Sequence, residues 1–167
     1  MPETKLHQLL RDAAAPGPAP AIATRYRLSL VEEATLPYGD DRCVNRPAEA
    51  ARFLWMHLFH DEPREVVAVV FVNAKNRATG HMVVFAGTTD RAVADPRLIL
   101  AAALLANASG ILLAHNHPSG DPTPSAEDQM FTRRMEQACE IVGLRLLDHL
   151  IVCARERWTS LCRKATW

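Results

Sequence analysis

The chain has 167 residues, of which 49% are hydrophobic and 23% are charged. This composition is typical of a globular protein that is long enough to bury a substantial core in one domain. Lysine and arginine together number 19, as do aspartate and glutamate, so the formal net charge is zero. A neutral chain has no long-range attraction for nucleic acids or membrane surfaces, and the charge therefore supports neither as a partner.

The four cysteines are spread along the chain without a CxxC pair, so they predict no disulfide framework. The first ten residues, MPETKLHQLL, lack the charged-then-apolar pattern of a secretion signal. The longest apolar stretch is interrupted by Asn107, Ser109 and Gly110, short of the roughly 20 apolar residues that a membrane span needs. We therefore expect a reduced, cytoplasmic protein without a membrane span.

The N-terminal part of the chain is poor in residues that could form a core. Residues 11–24 are rich in alanine and proline, so residues 1–24 are predicted to be a flexible segment. The next seven residues, RYRLSLV, alternate polar and apolar side chains and predict a half-buried strand. A single domain is therefore expected over residues 25–167.

The first predicted helix follows the sequence Asn45-Arg46-Pro47. Asn45 is a candidate N-cap, and Pro47 is tolerated in the first helical turn. The segment AEAARFLWMHLFH then spaces large apolar side chains so that they form one face of the helix. That face is predicted to contain Phe53, Leu54, Leu58 and Met56.

A β-hairpin and a second helix are predicted next. The β-branched run EVVAVVFV (residues 65–72) is typical of a strand that is covered on both faces. NAKNR predicts a turn and HMVVF a return strand. Asp95 and Pro96 then open a helix that is expected to end near Ser109 and Gly110.

Two further strands and a third helix complete the predicted domain. GILLA (residues 110–114) reads as a short buried strand, and LRLLDHLIVC (residues 144–153) as another. Between them a helix is predicted from about Ala126 to Val142, ending at Gly143. Helices interleaved with buried strands predict an α/β fold in which a sheet packs between helices.

The strongest functional signal is the segment AHNHPSGDPTPSAED, residues 114–128. His115 and His117 are two residues apart where a buried strand ends, so an extended backbone directs both imidazoles to the same side. Pro118 keeps His117 extended rather than helical.

The loop then returns the chain to a helix whose first turn contains Asp128. One interpretation makes His115, His117 and Asp128 three ligands of a Zn²⁺ ion with an open fourth position, which is typical of a catalytic zinc. The other makes Ser125 and Asp128 a capping box that merely supports the helix start. The combined spacing H-x-H-P-x6-S-x2-D favours the metal site.

These residues resemble the JAMM motif of the JAB/MPN metalloproteases. The string AHNHPSGDPTPSAED, together with FAGTTD (residues 85–90) and LLDHLIV (residues 146–152), is similar to the RadC branch of that family. The resemblance covers about residues 45–162, the expected core of the domain. It implies a three-layer α/β/α, cytidine-deaminase-like fold with a mixed sheet.

The resemblance also implies a hydrolytic site in which zinc is held by His115, His117 and Asp128. Its remaining members would be Ser125, whose hydroxyl could stabilise an oxyanion, and a glutamate that acts as general base. The motif's glutamate belongs at the start of the strand after the first helix, a position that Glu65 fills. Glu62, three residues earlier, is the alternative.

Asp148 and His149 lie inside an otherwise apolar predicted strand. A histidine in such a strand is more often a core residue whose hydrogen bonds are satisfied. The functional alternative is a group that orients a zinc ligand.

Three functions are compatible with these observations. The first is a zinc hydrolase that cleaves a peptide or isopeptide bond in a peptide or protein substrate. The second is a DNA-processing accessory protein, which the RadC resemblance suggests although the neutral charge does not support it. The third is a metal-stabilised interaction module without activity. The sequence does not indicate an oligomeric state.

Overall fold

The computed structural model describes residues 31, 33–34, 38–39, 42–87, 95–163 and 167. Five strands form one sheet: β1 (Glu65–Val72), β2 (Ala78–Gly87), β3 (Gly110–His115), β4 (Arg145–Ala154) and β5 (Arg157–Ser160). Their order across the sheet is β2-β1-β3-β4-β5. β3 and β4 are parallel, whereas every other neighbouring pair is antiparallel, so the sheet is mixed.

Helices cover both faces of this sheet. They are α1 (Pro47–Leu54), which continues as a π-helical turn over Trp55–Phe59, α2 (Pro96–Leu105) and α3 (Ala126–Val142). One buried cluster joins α1 to one face of the sheet, and a second joins α2 and α3 to the other. The predicted three-layer α/β/α architecture with a mixed sheet is confirmed.

The alternation of side chains along β1 shows how one strand serves both clusters. Val66, Ala68 and Val70 face α1, while Val69 and Phe71 face α2 and α3. This explains the continuous β-branched run, because a strand with helices on both sides needs apolar residues at every position. The predicted hairpin is also confirmed, since β2 pairs antiparallel with β1.

The apolar face of the first helix differs from the prediction at Met56, which is 56% exposed. The π-helical turn over Trp55–Phe59 has wider spacing than an α-helix, so the buried face rotates as the chain passes through it. Phe59 therefore takes the buried position, with only 2% of its surface exposed. The α-helical periodicity used for the prediction could not anticipate this change.

The predicted cap of that helix is also wrong. The N-cap residue is Arg46, and it makes no side-chain capping bond. The Asn45 side chain instead accepts a hydrogen bond from Asn76 Nδ2 at 3.3 Å. The Asn45 backbone amide donates to the Glu49 carboxylate at 3.1 Å. Asn45 therefore ties the helix start to the β1–β2 hairpin.

The remaining differences concern the ends of elements. α2 ends at Leu105, four residues before the expected Ser109, because Asn107 adopts a left-handed backbone with φ of 52°. The end of α3 agrees with the prediction, and Gly143 there has φ of 74°. β5 was not predicted from the sequence.

The N-terminal predictions fall largely on residues outside the described part of the chain. These are the flexible segment 1–24 and the strand over RYRLSLV, of which only Val31 is described; it is exposed and not part of a strand. Within the described ranges, no helix combines the length and apolar character needed to cross a membrane.

Candidate metal centre

The end of β3 brings the two motif histidines together. β3 is buried along its whole length and ends at His115, which is itself only 2% exposed. The Nε2 atoms of His115 and His117 are 3.0 Å apart, so both imidazoles converge on one point as the spacing predicted. Both rings lie on the side of the sheet that carries α2 and α3.

Asp128 reaches the same point from the first turn of α3. Its Oδ1 atom lies 3.4 Å from His115 Nε2. Its Oδ2 atom accepts hydrogen bonds from the backbone amide of Ser125 at 2.8 Å and from the Ser125 hydroxyl at 2.6 Å. The Ser125 oxygen in turn accepts from the Asp128 amide, which completes a capping box. The two interpretations of Asp128 are therefore compatible, because one oxygen caps the helix and the other faces the histidines.

A backbone carbonyl holds the His117 ring in place. His117 Nδ1 lies 2.6 Å from the carbonyl oxygen of Asp121. A carbonyl can only accept, so Nδ1 carries a hydrogen, and in the neutral ring Nε2 then has a lone pair. Metal-binding histidines are commonly oriented by a bond of this kind at the second nitrogen.

The electrostatic environment keeps His115 and Asp128 in the protonation states that a metal requires. Burial lowers the pKa of His115 to about 4, although the neighbouring Asp128 opposes this shift. Burial raises the pKa of Asp128, but the bonds from Ser125 and the proximity of His115 lower it by more, so it lies below its usual value. At neutral pH, His115 is therefore neutral and Asp128 is charged.

The donor set fits a zinc ion. One ligand atom from each of His115, His117 and Asp128 lies within 4.8 Å of the others. Ligand atoms about 2.0–2.2 Å from a tetrahedral zinc lie about 3.3–3.5 Å from one another. The observed 3.0 Å and 3.4 Å separations are close to that spacing. Across the described ranges this is the one group of histidine, cysteine and acidic side chains with such a geometry.

Glu65 begins β1 beside this centre. Val67 pairs with His115 in antiparallel register, and the Asn116 amide continues the ladder by donating to the Val66 carbonyl at 3.3 Å. The same register places Glu65 opposite His117, with its side chain on the face of the sheet that carries the histidines.

Glu62, the alternative general base, is bound by a neighbouring arginine. Its carboxylate accepts three hydrogen bonds from Arg64, at 2.8–3.0 Å. These bonds lower the pKa of Glu62 to about 2. A carboxylate so stabilised in its charged form is a weak proton acceptor, which favours Glu65 for the role.

Asn116 was not identified from the sequence, yet it joins the two strands at the site. Its Oδ1 accepts from the Val66 amide at 2.7 Å, and its Nδ2 donates to the Arg64 carbonyl at 2.8 Å. The side chain is almost completely buried. Asn116 therefore sets the position of the β1 start, including Glu65, relative to the two histidines on either side of it.

His149 is a buried core histidine that also contacts His115, a proposed zinc ligand. It is 1% exposed, and both ring nitrogens have partners, as expected of a core histidine. One partner is His115 Nδ1 at 2.9 Å, and the other is the hydroxyl of Thr132 at 2.7 Å. Thr132 was missed, although its position one helical turn after Asp128 was a usable signal.

Asp148 has a different function from its neighbour. Its carboxylate accepts hydrogen bonds from the Ser160 hydroxyl at 2.6 Å and from the Cys162 amide at 3.1 Å. Burial raises the pKa of this carboxyl above its usual value, against the effect of these bonds. Asp148 thus fastens β5 and the segment after it to β4.

The fold and this site together define a JAB-type domain, and comparison with known proteins agrees. Residues 44–166 match the model of the RadC-like JAB domain. The chain therefore belongs to the RadC-like JAB domain family.

Curated proteins named UPF0758 are similar to the chain. One from Thermotoga maritima is 48% identical over 92 residues, which are 55% of this chain and 41% of that protein. One from Staphylococcus carnosus is 35% identical over 136 residues, 79% of this chain and 58% of that protein. One from Desulforamulus reducens is 34% identical over 148 residues, 89% of this chain and 65% of that protein. The chain thus spans roughly half the length of the first two.

Proposed function

We propose that this domain is a zinc-dependent hydrolase that cleaves a peptide or isopeptide bond. The observation that carries the proposal is the convergence of His115, His117 and Asp128 at the end of β3, where one ligand atom from each residue lies within 4.8 Å of the others. Three protein ligands leave a tetrahedral ion one open position, which is typical of catalytic zinc sites. When bound, zinc supplies Lewis-acid chemistry, because it makes water acidic near pH 7 and polarises a carbonyl.

Glu65 is proposed as the general base. Its carboxylate would take a proton from the attacking water as the oxygen adds to the carbonyl carbon. It would then give that proton to the amine nitrogen as the carbon–nitrogen bond breaks. The register opposite His117 supports this role, and Asn116 holds the strand from which Glu65 extends.

Ser125 is proposed to donate a hydrogen bond to the oxyanion that develops on the carbonyl oxygen. In the structure its hydroxyl hydrogen is directed at Asp128 Oδ2, 2.6 Å away. The hydroxyl must therefore rotate about its Cβ–Oγ bond during the reaction. Asp128 Oδ2 would keep the bond from the Ser125 backbone amide throughout, so the ligand would stay in place.

The substitution Glu65→Gln tests the proposal against a matched control, Glu62→Gln. Zinc content and cleavage of fluorogenic peptide and isopeptide substrates are measured for both variants and the wild type. Glu65→Gln should keep its zinc and lose about 10²- to 10⁴-fold in rate, because only the proton acceptor is removed. Glu62→Gln should cleave at a rate close to that of the wild type.

Two results would contradict the proposal in different ways. If Glu65→Gln cleaves as fast as the wild type or releases its zinc, Glu65 is not the general base. If the wild type binds zinc but cleaves no amide, the domain is a metal-stabilised module instead of an enzyme.

A further inference from the structure

We propose that Thr132 and His149 are positioning residues that select the tautomer of His115 needed for metal binding. The inference rests on the metal site of the proposed function and adds two groups that touch neither the metal nor the substrate. The evidence for this inference is a series of three short hydrogen-bond contacts. Thr132 Oγ1 lies 2.7 Å from the Asp128 carbonyl oxygen and 2.7 Å from His149 Nδ1, and His149 Nε2 lies 2.9 Å from His115 Nδ1.

The direction of these hydrogen bonds follows from counting hydrogens. The Asp128 carbonyl can only accept, so the Thr132 hydroxyl donates its single hydrogen there. The Thr132 oxygen must then accept from His149, which places the hydrogen of the neutral His149 ring on Nδ1. His149 Nε2 is left as an acceptor, and it receives the hydrogen on His115 Nδ1. The lone pair of His115 Nε2 consequently faces His117 and Asp128.

The opposite direction is disfavoured by the same contacts. If Thr132 donated to His149, its oxygen and the Asp128 carbonyl oxygen would lie 2.7 Å apart with no hydrogen between them. The reversed hydrogen bonds would also place a hydrogen on His115 Nε2, where a metal would bind. Thr132 is 4% exposed, His149 1% and His115 2%, so water does not readily replace a missing partner at these three residues.

The hydrogen bond from His115 to His149 has a counterpart at the other histidine of the proposed metal site. The Asp121 carbonyl orients His117 in the corresponding way. With neutral rings, both histidines present Nε2 lone pairs and Asp128 presents Oδ1, so three acceptors face one point. A cation is the partner that satisfies such a set. Asp128 of α3 contributes twice, through its side chain as a proposed ligand and through its backbone carbonyl as the acceptor for the Thr132 hydroxyl.

The test compares Thr132→Val, which keeps the shape but removes the hydroxyl, with Thr132→Ser, which keeps the hydroxyl. Cys139→Ala, on the same buried side of α3, is the control for destabilisation alone. Zinc dissociation constants are measured by competition with a chelating dye. The ¹⁵N spectra of the histidine rings give the tautomers in the full chain, with and without zinc.

Thr132→Val should weaken zinc binding about 10- to 100-fold, whereas Thr132→Ser and Cys139→Ala should stay close to the wild type. In the wild type, His149 should carry its hydrogen on Nδ1 whether or not zinc is present, and Thr132→Val should move it to Nε2. An unchanged zinc affinity in Thr132→Val, or a wild-type His149 protonated at Nε2, would overturn this inference. Failure of the wild type to bind zinc would instead disprove the metal site, since the tautomers of the metal-free chain are measured separately.

Discussion

Two groups of histidines lie on opposite faces of the sheet, and only one of them is arranged as a metal site. His115, His117 and His149 lie on the side of α2 and α3, where ring nitrogens contact one another at 2.9–3.0 Å. His57 and His81 lie on the side of α1 and pack against the ring of Tyr38.

The difference lies in the acid that accompanies each group. The first group faces Asp128, whose Oδ1 is directed at His115. The acid that lines the cavity beside the second group is Glu62, and Arg64 binds its carboxylate. The second group is held by ring packing, with His57 4.7 Å from the Phe53 ring, and by a hydrogen bond between Tyr38 and His81. The available carboxylate of Asp128 therefore distinguishes the candidate metal site from the second group of histidines.

The largest expected difference between the two groups of histidines is in the zinc content of their variants. His115→Ala should reduce the zinc content from about one ion per chain to nearly none, because the central ligand is removed. His81→Ala, the matched change on the other face, should leave the content unchanged. Metal analysis of the purified variants by mass spectrometry checks this. Equal zinc in both variants and the wild type would remove the distinction between the two groups.

The stability of the metal-free protein should depend on pH through the first group. Burial lowers the pKa of His115 to about 4 and that of His149 to about 3, from an ordinary value of 6.5. The unfolded chain therefore binds more protons, and the free energy of unfolding falls as the pH drops from about 6.5 toward 4 and 3. Two such groups give a loss of about 2 kcal/mol between pH 6 and pH 5.

Urea denaturation at several pH values measures this effect. His57→Gln, on the opposite face, should keep the steep dependence. A free energy of unfolding that stays constant from pH 7 to pH 5 would show that the His115 and His149 rings are not held neutral by burial.

The smallest predicted effect is that of Tyr38→Phe in the second group. The Tyr38 hydroxyl lies 2.5 Å from His81 Nδ1, and burial raises the pKa of Tyr38, so this hydroxyl stays protonated. Its removal should cost about 1 kcal/mol of unfolding free energy through the lost hydrogen bond, with no change in zinc affinity. Thermal denaturation and a zinc titration together check this. A weakened zinc site would mean that the two faces are coupled through the sheet.

The sequence predicted the regular elements well where local signals agree. The β-branched run of β1 and the Ser125 and Gly143 signals at the ends of α3 each combine a hydrophobic pattern with a boundary residue. β5 has four residues, none of them buried, and it exists because β4 offers an edge for pairing. The π-helical turn that exposes Met56 likewise lacks a periodic signature.

The residues of the candidate site were likewise predictable only where they lie close together in sequence. His115, His117, Ser125 and Asp128 come from one stretch of chain, and their spacing was sufficient to predict that they meet. Asn116 and Thr132 were missed because their importance depends on which backbone groups lie beside them in the fold. The role of His149 depended on one contact, with His115, which is 34 residues away in sequence. Spacing predicts local convergence, but long-range hydrogen bonds follow from tertiary packing.

The position of the ligands in the chain has a consequence for the order of folding. The three proposed ligands lie within residues 115–128, whereas the strand that carries Glu65 is joined to this segment by contacts that span 50 residues. Closing the longer loop costs about 1 kcal/mol more in chain entropy. The three proposed ligands can therefore approach one another before β1 pairs with β3, whereas Glu65 joins them only after that pairing.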